Sequence, residues 1–170
     1  VLTEYGFGNI ETMLNEWNPT PGNERHGSSE ACANAAAMMC AMQNKKTNIM
    51  CFYDARIHSG AFGSMFNPIT AQPYSTYYAF AAFGEMLALG NQTYCSCDCP
   101  GIYAVSASDG EKYTAMICNI SGHDEQISAN ITCSADVYLI DWYNMYTKTK
   151  LDASCFTLKH NQVAVIKGTL

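Results

Sequence analysis

The pattern of apolar residues changes character near residue 91, and this change restricts the architecture more than any other feature of the 170-residue chain. Up to Gly90 the apolar positions trace a strand, a helical stripe, a second strand and a second helical stripe. Beyond Asn91 they come in short runs separated by turn residues. The first pattern reads as a strand–helix–strand unit with a parallel pair, the second as a set of short strands in a β-sandwich or open barrel. We place the division in the stretch 91–100 and assign residues 1–92 to the α/β part and 93–170 to the all-β part.

The elements of the first part follow from local chemistry. Residues 10–17 read as a strand, after which Pro19, Pro21 and Gly22 force a loop. Ser28 and Ser29 are both N-cap candidates, and Glu30 adds negative charge to the first turn. Ala31, Ala35, Met38, Met39 and Met42 then recur at helical spacing, with an end expected near Asn44-Lys45-Lys46. Residues 49–52 form an unbroken apolar run, the signature of a strand covered on both faces. The stretch 54–72 is a long loop, a kind often given to function. Pro73 is expected at or near the first position of a second helix whose buried stripe is Tyr77, Phe80, Ala81, Gly84 and Leu87 or Ala88, ended by Gly90. In the second part, strands are expected at 102–105, 112–119, 126–133, 137–142, 155–158 and 162–166, with Ser108-Asp109-Gly110 as a hairpin turn.

Composition removes several classes of function. The net charge is −6, and among the nine Lys and Arg only Lys45 and Lys46 are adjacent. Nucleic-acid binding rests on clustered cations, so no nucleic-acid partner is expected. No apolar run reaches the ~18 residues of a membrane span, and no membrane partner is expected. Nine cysteines cannot all pair within one chain. Cys32, Cys40 and Cys51 stand in apolar surroundings, which suits reduced thiols and a cytoplasmic protein. The sequons at Asn91, Asn119 and Asn130 would matter only in a secreted eukaryotic protein. The first residue is Val1, from which we expect a segment of a longer or trimmed product.

Asn15-Glu16-Trp17-Asn18 is the first chemical candidate. A carboxylate at the C-terminal end of a parallel strand sits where βα-barrel enzymes do their chemistry. The neighbouring aromatic can stack on a sugar, and the amide can orient the carboxylate or bind a hydroxyl. By local pattern alone, a strand-end glutamate is more often a solvated surface residue. Tyr53 and Asp54, at the end of the second strand, could contact a sugar hydroxyl or hold Glu16; Asp54 could equally cap the following loop. Arg56 reads as a solvated loop residue that could also pair with Glu16 or Asp54, and His58 lies just beyond. Cys95-Ser96-Cys97-Asp98-Cys99 puts three thiols at spacing two, but the second ligand pair of a structural zinc site is missing from the sequence. The four histidines form no recognisable cysteine–histidine dyad. No metal or cofactor is expected.

Met13-Leu14-Asn15-Glu16-Trp17-Asn18 resembles the seventh-strand motif of clan A glycoside hydrolases, most closely family 39, the β-xylosidase and iduronidase family. Later segments resemble that family in order: the loop around Gly60-Ala61-Phe62-Gly63, the lead into a last helix in Pro73-Tyr74 with Tyr77, Tyr78 and Phe80, and Gly101-Ile102-Tyr103-Ala104-Val105 opening a sandwich. The resemblance implies a fold class of α/β plus all-β: the last two strands and helices of a (β/α)8 barrel, then a β-sandwich. It implies a retaining glycosidase with Glu16 as nucleophile, Asn15, Trp17, Tyr53 and Asp54 as substrate contacts, and an acid/base outside this chain. The clan's fourth-strand acid/base also follows an Asn. However, only one strand–helix unit follows Glu16 before the sandwich, which fits strand seven. The 170 residues alone are then expected to be inactive, to take a carbohydrate substrate when completed, and to self-associate through the open edge of the barrel. The alternative is a non-catalytic carbohydrate-binding or assembly sandwich with Trp142, Tyr143 and Tyr146 as its working face.

Overall fold

A computed structural model describes residues 2–170 except Pro21, Ser64, Thr132 and Cys133, and gives the backbone only for Asn23. Strand β1 (Met13–Trp17) lies parallel to β2 (Ile49–Phe52), and helix α1 (Ser29–Met42) connects them. This is the strand–helix–strand unit expected from the apolar pattern. Ser28 caps α1 in extended conformation, its side chain accepting the Ala31 amide at 3.1 Å. The expected single stripe is wider in the fold: Ala31, Cys32, Ala33, Ala35, Ala36, Ala37, Met39 and Cys40 are all buried. A helix rich in alanine can be approached closely from more than one side, and here a second helix and the large sheet both press on it.

Helix α2 (Ser75–Leu87) corrects one expectation. Tyr74 is its N-cap, so Pro73 stands just ahead of the helix, near the first position as expected. Its buried face is Ser75, Thr76, Ala79, Ala82 and Met86, while Tyr77 and Leu87 are exposed. The aromatic positions set the wrong phase because contact with α1 selects small residues, Ala79 and Ala82, that let the two helices close together. Tyr78, Phe80 and Phe83 pack only partly against the core.

The remaining strands form two sheets. β3 (Asn91–Thr93), β4 (Ile102–Ser108), β5 (Lys112–Asn119), β10 (Gln162–Thr169), β7 (Ala135–Ile140) and β8 (Thr147–Lys148) make a six-stranded antiparallel sheet in that spatial order. β6 (Glu125–Ser128) pairs with β9 (Cys155–Leu158) in a separate ribbon. β3 spans the expected division at residues 92 and 93, so the edge strand of the large sheet begins within the first part. Six strands were expected beyond residue 91; the short β3 and β8 add to them, and Cys133, at the end of one expected strand, lies outside the described residues. The hairpin at Asp109-Gly110 forms as its chemistry dictates: Gly110 takes φ 95°, and the Asp109 carboxylate accepts the Glu111 and Lys112 amides at 2.9 and 2.7 Å.

The six-stranded sheet is covered on both faces. Val105, Met116, Cys118, Ile140, Val163 and Val165 face the helices, and Ile102, Ile117, Val137, Leu139, Ala164 and Ile166 face the β6–β9 ribbon. At the far end of β5, buried Asn119 donates to the His123 and Leu158 carbonyls at 2.9 and 2.8 Å, tying the ribbon to the sheet. Between helices and sheet, Lys167 lies over the rings of Tyr138 and Tyr146 at 4.8 and 4.7 Å, and both Lys167 and Tyr146 donate to Glu85 of α2. The two parts thus share one core. No helix among the described residues is long and apolar enough to cross a membrane.

Candidate active site

The pairing of β1 with β2 carries an extra residue on β1: Leu14 pairs with Met50 and Trp17 with Phe52. A bulge therefore falls at Asn15 and Glu16. Without it, Leu14 and Trp17 would project from opposite faces of the strand. With it, both turn toward the helices and pack in the same core, and Asn15 and Glu16 are left exposed at the strand end. The fold thus frees the carboxylate by burying its neighbour.

Trp17 is 8% exposed, edge-on to Phe52 at 5.0 Å and stacked on Phe80 at 6.1 Å. Of the five residues expected at the site, it is the one whose ring the fold turns inward. Tyr53 continues from β2, with its amide donating to the Trp17 carbonyl at 2.9 Å, and the Tyr53–Asp54 peptide is cis. Asn18 joins the two strand ends, its side-chain amide donating to the carbonyls of Tyr53 and Phe62 at 2.9 and 3.0 Å. Tyr53 and Phe62 meet edge to face at 5.5 Å. The end of β1, Tyr53 and Phe62 are therefore tied together, with Asn15 and Glu16 exposed on the strand just before Trp17.

Asp54 is buried and its two oxygens are occupied. Oδ1 accepts the Arg56 amide at 3.2 Å and His58 Nε2 at 2.9 Å, and Oδ2 accepts Arg56 Nε at 2.8 Å. The Gly60 amide donates to His58 Nδ1 at 2.8 Å, which leaves Nε2 as the protonated nitrogen facing Asp54. Burial pushes the Asp54 carboxyl up, but the hydrogen bonds from Arg56 and His58 outweigh it and hold the group below the usual carboxylate range. The exposed Arg56 guanidinium also reaches the Tyr53 hydroxyl at 3.2 Å. The sequence raised loop capping for Asp54 and a pairing with Arg56, but not that His58 also closes on it.

A large cavity lies elsewhere. It measures about 950 Å³ and opens between the large sheet and β6, bordered by Cys95, Ile102, Ile117, Glu125 and Ile127 among others. None of the five expected site residues lines it. Cys95, Cys97 and Cys99 stand along the segment that leads into β4, and no group of described residues could hold a metal ion. In the core, the Cys40 and Cys118 sulfurs are 3.7 Å apart, and burial pushes the Cys32 thiol up to about 12. Raised, enclosed thiols of this kind make poor nucleophiles.

No family model matches the sequence, and no curated protein matches it. The fold, by contrast, has close counterparts among glycoside hydrolases. A family 30 subfamily 8 xylanase from Clostridium acetobutylicum superposes with a TM-score of 0.70 at 15% identity, over 94% of this chain and 43% of its own. A glucosidase from Croceicoccus marinus gives 0.71 at 17% identity, over 99% and 48%. A family 44 xyloglucanase from Paenibacillus polymyxa gives 0.65 at 9% identity, over 99% and 34%. The chain shares its fold with parts of these glycoside hydrolases and spans less than half the length of each. The likeness is one of fold, common to families 30 and 44, and does not single out the family 39 that the motif resembles.

Proposed function

We propose that these residues form the C-terminal part of a retaining glycoside hydrolase, with β1 and β2 as the last two strands of a (β/α)8 barrel and the later strands as its β-sandwich. The observation that carries this reading is the exposed Glu16, set on a bulge at the C-terminal end of a parallel strand in a fold shared with glycosidases. Glu16 attacks the anomeric carbon while a second carboxyl, about 5–5.5 Å away, protonates the departing oxygen. A glycosyl ester forms, and water activated by the second carboxylate then releases the sugar and restores Glu16. Asn15 orients Glu16 or binds a hydroxyl, and Tyr53 offers a ring. Asp54 contributes by fixing Arg56 and His58 beside Tyr53, and Trp17 by fixing the strand end.

The second carboxyl belongs to strands outside these residues, so the 170-residue chain is expected to be inactive alone. The decisive property of the completed enzyme is stereochemical. Proton NMR of the first sugar released should show the anomeric configuration of the substrate. Initial release of the opposite anomer would point to an inverting enzyme and overturn the role given to Glu16.

The same reading leaves one side of the β1–β2 sheet uncovered, with Met13 55% and Ile49 37% exposed beside exposed Cys51. Neither strand has a second neighbour among the described residues. We propose that isolated chains associate through this side, since open strand edges and apolar surface favour pairing. Sedimentation equilibrium should give a mass that rises with concentration. A monomer mass throughout would contradict it.

A further inference from the structure

Two exposed large aromatic residues sit side by side on a turn that is held by hydrogen bonds. Trp142 is 47% and Tyr143 89% exposed, just after β7. Buried Asp141 fixes the turn: Oδ1 accepts the Tyr143 and Asn144 amides at 2.7 and 2.8 Å, and Oδ2 accepts the Asn144 and Gln162 side-chain amides at 2.8 and 2.5 Å. The Trp142 amide donates to Ser29 Oγ at 3.0 Å, in the first turn of α1. Tyr74 lies 6.3 Å from the Trp142 ring at 32°. Gly27, at φ +73°, passes beneath both; a Cβ there would come within 2.5 Å of Tyr74 and 2.9 Å of Trp142. Apolar rings left in water on an ordered support suit a ligand that stacks without reshaping the site.

The position of the turn says which ligand. Ser29 opens the helix that follows β1, so Trp142 stands at the end of the molecule where Glu16 ends its strand. The loops between are hydrogen-bonded to one another. Both Gly22, through its amide, and His26, through Nε2, donate to the Ala61 carbonyl, at 2.8 and 3.0 Å, and next to Ala61 stands Phe62, the partner of Tyr53. The cations along this path are already paired, Arg25 with Glu30 and Arg56 with Asp54. Flat rings without a free cation suit the C–H faces of uncharged sugars and offer nothing to a polyanion. We infer that Trp142 and Tyr143, backed by Tyr74, form a distal platform for a neutral polysaccharide chain running away from Glu16. The substrate is then a polymer rather than a small glycoside. The direction of the chain rests on the glycosidase reading; binding at the platform does not.

Affinity electrophoresis of the 170-residue chain in gels containing soluble arabinoxylan or xyloglucan tests the platform directly. We expect retardation by at least one polymer, weakened about tenfold or more in W142A/Y143A, as for loss of a hot-spot pair. Tyr143→Ser alone, at a position too exposed to matter for folding, should weaken it part way. Retardation by neither polymer, or full retardation of both Trp142/Tyr143 variants, would overturn the platform. So would a fall in sedimentation mass in the variants without polymer, which would make the patch a contact between chains. Failure of Glu16 to form a covalent intermediate would refute the catalytic reading alone, because the gel does not depend on it.

Discussion

Glu16→Ala, made in the completed enzyme, is expected to lower kcat on the order of 10⁴-fold or more, the scale on which removal of a covalent nucleophile is felt. The loss should fall on kcat as well as kcat/KM, since the missing bond exists only on the reaction path. Azide should restore part of the turnover with an activated substrate, entering the space vacated by the carboxylate and giving a glycosyl azide of inverted configuration. Folding should be untouched, because the Glu16 side chain is exposed and the bulge is set by the β1–β2 pairing around it. Near wild-type activity in Glu16→Ala would end the assignment.

Trp17→Ala is expected to be the most damaging single change to stability, at about 3–5 kcal/mol, the range for emptying a buried Trp site. The ring joins Phe52 of β2 to Phe80 of α2, so its loss opens a void where strand pair and helices meet. Trp17→Phe should cost much less, about 1–2 kcal/mol. It keeps an aromatic in the cluster and removes an indole Nε1 that is buried without a hydrogen-bond partner among the described residues. The midpoint of urea unfolding measures both. A small effect of Trp17→Ala would mean that the ring is not part of the core and is free for the sugar contact its position beside Glu16 suggested.

Local chemistry made much of the fold legible. Ser28 before an alanine-rich stripe announced α1, and Ser108-Asp109-Gly110 announced the β4–β5 hairpin, because each depends on a few adjacent residues. What depends on distant partners was not legible. The burial phase of α2 is set by the close approach of α1, which favours Ala79 and Ala82 over the larger Tyr77 and Leu87. The bulge at Asn15 and Glu16 is a property of pairing register, which a single strand does not reveal; an alternating reading of the strand places Leu14 and Trp17 on opposite faces. At the candidate site, a motif and a position at strand ends singled out Glu16 and Tyr53, and the short spacing made a pairing of Arg56 with Asp54 conceivable. Asn18 as the bridge to Tyr53 and Phe62, and the placement of Trp142 beside the start of α1, needed the tertiary fold.

The account stands on a covalent bond between a sugar and Glu16, and that bond can be isolated. Incubating the completed enzyme with a 2-deoxy-2-fluoro glycoside bearing a good leaving group slows both steps but the second more, so the glycosyl ester accumulates. Peptic digestion and tandem mass spectrometry should place the fluorosugar on the peptide containing Asn15-Glu16-Trp17, attached to Glu16. A label on any other carboxylate would contradict the account, as would hydrolysis that proceeds with retention while Glu16 stays unlabelled.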